Sequence, residues 1–153
     1  MSPNQAFAIA NVVAMFGWVL LAVFPGRRWI ADVICGRIIP AVLATTYVVI
    51  IVTRWAGTSG GFSTLTDVGL LFSNPWLLLA GWVHYLAFDL FVGSWEVQDA
   101  RAHGIPHVLV LPCLALTFMF GPAGWLLYLG LRSTVTRTAA IRSDPFVRRG
   151  ERG

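Results

Sequence analysis

The sequence predicts an all-α integral membrane protein: a bundle of four transmembrane helices, with a short interfacial or re-entrant helix between spans two and three. Hydrophobic residues make up 57% of the 153 residues and charged residues only 12%, whereas soluble domains carry about 25% charged residues. The mean hydropathy is +0.72. Four apolar stretches are candidates for the crossing helices, each of which needs about 20 residues to traverse a hydrocarbon core.

The first span is predicted at residues 5–24, where Pro25 and Gly26 end the apolar run. Its only strongly polar interior residue is Asn11. Polar side chains in membrane helices commonly bond across to a neighbouring helix, so we expect an interhelical hydrogen bond from Asn11.

The second span is predicted at residues 38–52, with a start that could reach back to Val33. Before it, Trp29 adjoins two arginines, a combination typical of the membrane interface. We therefore expect residues 29–34 to form a short helix on that surface.

Residues 56–73 are rich in glycine, serine and threonine, and their apolar piece at 65–72 is too short to span a membrane. We expect this piece to be the interfacial or re-entrant helix. Asp67 would lie near its first turn, where the helix dipole favours a negative charge.

The third span is predicted at residues 76–95, and we expect its helix to continue to about His103. The fourth span is predicted at residues 108–131. Gly121 and Pro122 should bend or split it, because proline removes a backbone hydrogen bond.

These elements give a four-span domain over residues 1–132 and an arginine-rich C-terminal tail over residues 133–153. All eleven basic residues are arginine, and the net charge is +4. The arginines adjoin apolar spans without the interleaved aromatics of a single-strand groove, so we expect the lipid bilayer as partner and no nucleic acid. Four crossings would put seven arginines on the side of both termini, and the positive-inside rule then predicts cytoplasmic termini.

The third span concentrates the reactive side chains. At 100° per residue, Tyr85, Asp89, Val92, Glu96 and Asp99 share one helix face. Trp82 and His103 lie near that face. Ionisable groups at membrane depth are costly and usually face a bundle interior, where they have a function.

A second stripe on the same helix is aromatic. His84 leads it, displaced by about 100° from Tyr85, and Phe88, Phe91 and Trp95 follow. A polar stripe beside an aromatic one suits a crevice that holds a large apolar ligand within reach of a few polar groups.

Each of these residues also has a structural interpretation. Asp89 could act as an acid or base, or it could be a hydrogen-bonded group that pins two helices together. His84 could ligate a metal or a tetrapyrrole, or be a hydrogen-bonded structural histidine. Glu96 and Asp99 with His103 and His107 could bind a metal, but a solvated helix end is the simpler account, so no metal site is predicted and the cofactor is left unassigned.

Several runs make the chain resemble the abscisic-acid-deficient-four-like membrane protein family. They are Asn74-Pro75-Trp76, the segment from Trp82 to Phe91, the segment from Trp95 to Ala100, Ile105-Pro106-His107, Pro112, and the segment from Phe120 to Tyr128. The resemblance covers nearly the whole chain and is most specific over residues 74–128. It implies a four-helix membrane protein, with plant members required for neoxanthin formation in plastids.

The resemblance implies a polyene or other isoprenoid ligand, without carrying over the plant substrate. No plastid transit peptide is evident, which favours a bacterial inner-membrane protein. The first hypothesis is a protein of carotenoid metabolism, and specifically a polyene or xanthophyll isomerase. Its candidate catalytic residues are Asp89, His84 and Tyr85, and its candidate substrate-binding residues are Trp82, Phe88, Trp95, Glu96, Asp99 and Pro122.

Two alternatives come from other functional classes. The chain could be a non-enzymatic pigment-binding or assembly factor in a pigment-rich membrane, working as a homo-oligomer or within a pigment–protein complex. A small transporter is a weaker alternative, because four spans are few and no inverted repeat is evident.

Overall fold

The computed structural model describes residues 1–143, with side chains described through residue 137, and contains no strand in that part of the chain. Its six helices are α1 (Pro3–Val23), α2 (Ile30–Arg54), α3 (Leu65–Phe72), α4 (Pro75–Ala102), α5 (His107–Phe120) and α6 (Pro122–Ser143). Within the described residues, α1, α2 and α4 are long and apolar enough to cross a membrane. The chain is therefore an all-helical integral membrane protein.

Helix α1 confirms the first predicted span. Ser2 and Gln5 cap its N-terminus reciprocally, side chain to backbone, which satisfies donors that would otherwise lack partners. Asn11 makes the expected interhelical bond, because the Trp82 indole Nε1 donates to its Oδ1 at 3.1 Å.

Helix α2 begins earlier than predicted. Its first part, Ile30–Ile38, is wound as a π-helix, in which each N–H bonds to the carbonyl five residues back. The prediction of a separate surface helix over residues 29–34 is wrong. Ile30 and Ala31 are buried, and the Ser94 hydroxyl of α4 donates to the Ala31 carbonyl at 2.8 Å, so this stretch joins the bundle.

Helix α3 has the predicted bounds. The Thr64 hydroxyl accepts a hydrogen bond from the Asp67 backbone N–H at 3.1 Å and caps its start. Leu71 is its only buried residue. The interfacial or re-entrant placement of this helix stays a prediction.

Helix α4 is the central element, and α1, α2, α3, α5 and α6 all pack against it. The Asn74 side chain caps its start by accepting from the Trp76 N–H at 2.9 Å. It ends at Ala102, and Gly104 follows with a φ of +65°, which glycine adopts without steric cost. The expected continuation beyond residue 95 is thus confirmed.

Helices α5 and α6 form a hairpin instead of one continuous crossing. Helix α5 has 14 residues, about 21 Å at 1.5 Å per residue, and the hydrocarbon core is about 30 Å thick. The chain turns at Gly121, whose φ is +44°. Helix α6 then runs back along α4, so that the Tyr128 hydroxyl donates to Asp99 at 2.6 Å and Arg132 pairs with the same carboxylate at 3.1 Å.

Both open ends of the α5–α6 hairpin therefore lie at the C-terminal end of α4, and the fourth crossing predicted over residues 108–131 is not confirmed. Helix α6 continues past the predicted domain boundary at residue 132 to Ser143. The rest of the predicted tail, residues 144–153, lies outside the described residues.

Candidate functional site

The turn of the hairpin packs against Asp89, halfway along α4. A Cβ atom added at Gly121 would lie 2.7 Å from Asp89 Oδ1, and the φ of +44° is one that residues with side chains rarely adopt, so glycine favours this approach. Asp89 is 9% exposed, and its Oδ2 has no hydrogen-bond partner within the described chain. The N-terminus of α6 also points its positive dipole end at this turn, which favours an acidic neighbour.

Glu96 lies two helical turns further along α4 and is completely buried. Its Oε1 accepts a hydrogen bond from the Thr117 hydroxyl of α5 at 2.9 Å, while its Oε2 has no partner among the described residues. Thr117 in turn lies directly against Gly124 of α6. Glu96 thus faces the place where the two arms of the hairpin approach each other most closely.

Asp99 connects the open end of the hairpin to α4. Besides Tyr128 and Arg132, its carboxylate lies 3.5 Å from His103 Nδ1. Arg132 also donates to His103 Nε2 at 3.1 Å. At this end of the bundle His103 and Arg132 are partly exposed, while Asp99 is only 13% exposed.

Asp89, Glu96 and Asp99 therefore share the predicted helix face, and that face is covered by the hairpin. Glu96 and Asp99 contact hairpin side chains and do not line the grooves described next. Trp95 packs edge-on against Tyr128, with ring centroids 5.6 Å apart. Pro122 is exposed beside the turn.

An apolar groove of about 560 Å³ opens between α1, α3 and α4. A smaller cavity of about 150 Å³ lies beside it, at the end of α5. Trp82 and Tyr85 line both spaces. The other residues of the larger groove are Pro3, Asn4, Phe7, Phe72, Pro75, Leu78, Leu79 and Gly81.

Tyr85 lies on α4 between the residues that line this groove and Asp89. Its hydroxyl donates to the Phe118 carbonyl at 2.8 Å, near the end of α5. Asp89 lies one helical turn beyond Tyr85 and does not line either cavity, because Gly121 covers its carboxylate. Movement of the hairpin turn is therefore needed before a ligand in the groove can touch Asp89.

His84 and Phe88 lie on another face of α4. Their rings stack with centroids 4.5 Å apart. Phe88 is 56% exposed and lines neither space beside Tyr85, so the structure does not bring it to the groove as predicted. His84 lines a separate apolar cavity of about 190 Å³ between α2, α3 and α4.

Of the two histidines near the C-terminal end of α4, His103 lies beside Asp99, and His107 has no acidic partner among the described residues. His107 Nε2 lies 3.0 Å from the Ala22 carbonyl at the end of α1. Across the described residues, no three His, Cys, Asp or Glu side chains are arranged to bind a metal ion.

Sequence reasoning missed the residues that α5 and α6 contribute to the site, chiefly Thr117, Phe118 and Tyr128. Thr117 and Tyr128 are completely buried. The sequence signal for these residues was weak. Thr117 and Tyr128 are isolated hydroxyl-bearing residues in apolar runs, and Phe118 contributes only its backbone carbonyl.

The family model described as ABA DEFICIENT 4-like matches residues 5–128, which include every residue of the groove and of the hairpin turn except Pro3 and Asn4. No curated protein and no solved structure matches the chain.

Proposed function

Because this chain belongs to the ABA DEFICIENT 4-like family, we propose that it is a membrane protein of carotenoid or other isoprenoid metabolism, acting as an isomerase on a polyene or xanthophyll. One observation carries the proposal. An apolar groove ends at Tyr85, one helical turn from a buried carboxyl group whose Oδ2 has no partner among the described residues. Such a groove suits an apolar chain, and the carboxyl group suits proton transfer at its end.

The groove fits a ligand that enters from one leaflet. Its lining runs along α1 from Pro3, and the cavity beside it reaches Met15, about 18 Å at 1.5 Å per residue. This is a little more than half of the hydrocarbon thickness of about 30 Å. The apolar chain would lie in the groove with its reacting part beside Tyr85, near the middle of the bilayer.

In the proposed reaction, Asp89 donates its proton to a ligand double bond, and a new C–H bond forms. The carboxylate then removes a proton from a neighbouring carbon, so the double bond shifts and the acid is regenerated without net change in atoms. The rings of Trp82 and Tyr85 would stabilise the intermediate cation through their π faces. A shift of the hairpin turn would uncover Asp89 for this step.

The test is Asp89→Asn in a reconstituted pigment pathway, with products separated by chromatography. General acid–base catalysis contributes about 10²- to 10⁴-fold, so product formation should fall by at least about a hundredfold. Asp67→Asn on α3 is the matched control and should leave the products unchanged. An unaltered pigment profile in a folded Asp89→Asn protein would remove the central residue of the proposal.

A non-enzymatic pigment-binding role is the second candidate. The separate cavity beside His84, lined by Tyr47, Trp55 and Phe62 among others, favours it. Visible absorption that co-purifies with the protein, without any product on incubation, would support this role. If His84 ligates a tetrapyrrole in this cavity, His84→Ala should abolish that absorption.

We also propose an orientation in the membrane. The hairpin returns the chain to the end of the bundle where α1 ends and α2 begins, so the N-terminus and the end of α6 lie at opposite ends. Six of the seven arginines with described side chains are near the α6 end: Arg27, Arg28, Arg37, Arg101, Arg132 and Arg137. The positive-inside rule then favours a cytoplasmic C-terminal end and an N-terminus on the other side, in place of the two cytoplasmic termini expected from four crossings.

A further inference from the structure

A polar pocket of about 300 Å³ lies at the arginine-rich end of the bundle, away from the groove. It is lined by Arg28, Asp32, Gln98, Arg101 and Ala102. Its walls come from the start of α2 and its preceding turn on one side and from the last turns of α4 on the other.

Arg101 is fixed in this pocket by its neighbours. Its Nη2 pairs with Asp32 Oδ1 at 2.9 Å, and its Nε donates to the Val97 carbonyl at 3.4 Å. Its Nη1 is buried and has no acceptor among the described residues. A buried charged donor without an acceptor is costly, so a small shift of the Arg101 side chain toward an anion in the pocket would give this nitrogen a partner.

Arg28 supplies a second cation. Its side chain is exposed and forms no salt bridge within the described part of the chain. Gln98 adds a polar wall, and its Nε2 donates to Ser94 Oγ at 2.8 Å. Two arginines and one aspartate leave a net charge of +1 in the pocket.

From these features we infer that the pocket binds the phosphodiester group of an anionic lipid headgroup. A phosphodiester carries one negative charge, which balances the pocket. Guanidinium groups bind phosphate oxygens through paired, charge-assisted hydrogen bonds. Asp32 orients Arg101, and Arg28 closes over the other side of the phosphate.

The surroundings favour a lipid over a soluble phosphate. Trp29 adjoins Arg28 and is 56% exposed, and tryptophan at the end of a crossing helix marks the headgroup level of a membrane. The same end carries the excess of arginines, which attracts the anionic leaflet. This inference does not depend on the isomerase proposal, because the pocket shares no residue with the groove.

The test uses delipidated full-length protein in neutral detergent, titrated with dihexanoyl phosphatidylglycerol and followed by native mass spectrometry. Arg28→Gln should weaken binding about tenfold, the effect of one hydrogen bond to a charged group. Arg101→Lys retains the charge but loses the planar guanidinium group with its paired donors, so it should also weaken lipid binding. Arg54→Gln is the matched control, because Arg54 lies at the opposite end and stacks on Trp76.

Three results would overturn the inference. Equal binding by the wild type and Arg28→Gln would show that the pocket is not used. Equal affinity for dihexanoyl phosphatidylcholine would show that the pocket does not recognise the net charge of the headgroup. Inorganic phosphate binding as tightly as phosphatidylglycerol, with the same loss in Arg28→Gln, would assign the pocket to a soluble anion.

Discussion

The close approach of the two arms of the hairpin leads to a sharp prediction about Gly124. A Cβ atom added there would overlap the backbone nitrogen and the hydroxyl of Thr117. Backbone atoms cannot rotate away, so Gly124→Ala must push α6 off α5. Overpacking of this kind costs about 1–3 kcal/mol, and here we expect the upper end of that range.

Gly130 provides the matched control on the same helix, because nothing lies within 4 Å of a Cβ atom added there. Replacing a helical glycine by alanine gains about 1 kcal/mol in helix propensity, and both variants receive this gain. Gly130→Ala should therefore stabilise the protein by up to about 1 kcal/mol, while Gly124→Ala destabilises it by about 2 kcal/mol once overpacking is included. The difference between the variants is then about 3 kcal/mol.

The assay is reversible unfolding in mixed micelles, in which the fraction of denaturing detergent is raised and helicity is followed by circular dichroism. The midpoint for Gly124→Ala should fall clearly below that of the wild type, and the midpoint for Gly130→Ala should not. Equal midpoints for the two variants would refute the packing of α6 on α5, and with it the hairpin.

Three further predictions follow from the same contacts. Thr117→Val should destabilise the protein by about 1–3 kcal/mol in the same unfolding assay, because Glu96 Oε1 loses its buried donor; Thr46→Val, whose hydroxyl bonds only within its own helix, should have a much smaller effect. Tyr85→Phe should lower the unfolding midpoint in the same assay, by about 1 kcal/mol, because the Phe118 carbonyl loses its partner; an unchanged midpoint would contradict an anchoring role. Reporter fusions expressed in a bacterium should place the two termini on opposite sides of the membrane, and a common side would contradict the proposed orientation.

Much of the central helix could be predicted from the sequence. The asparagine–proline start, the apolar run and the terminal glycine gave the bounds of α4 to within a residue or two. Helical periodicity also placed Asp89, Glu96 and Asp99 on one face, because that result depends only on 100° per residue.

The path of the chain after residue 107 could not be predicted in the same way. A continuous apolar stretch of that length is compatible with one kinked crossing or with two shorter helices that turn back. The choice depends on distant contacts, such as Gly124 with Thr117 and Tyr128 with Asp99. Hydropathy averages carry no information about such pairs.

The sequence also could not show whether the aromatic stripe of α4 faces lipid or the interior of the bundle. Phe88 and Phe91 are about half-exposed. An aromatic ring packs favourably both against lipid tails and inside a bundle. In a membrane, apolar character alone therefore does not identify the buried side of a helix.

The short length of α5 has a consequence for biogenesis. Its turn lies halfway along α4, beside Asp89, and backbone groups at such a turn need protein partners wherever lipid surrounds it. We therefore expect α1, α2 and α4 to assemble before the hairpin, with the carboxyl group of Asp89 uncovered until Gly121 packs against it. A chain that stops before the hairpin is synthesised would leave this face of α4 without the protein surface that covers it.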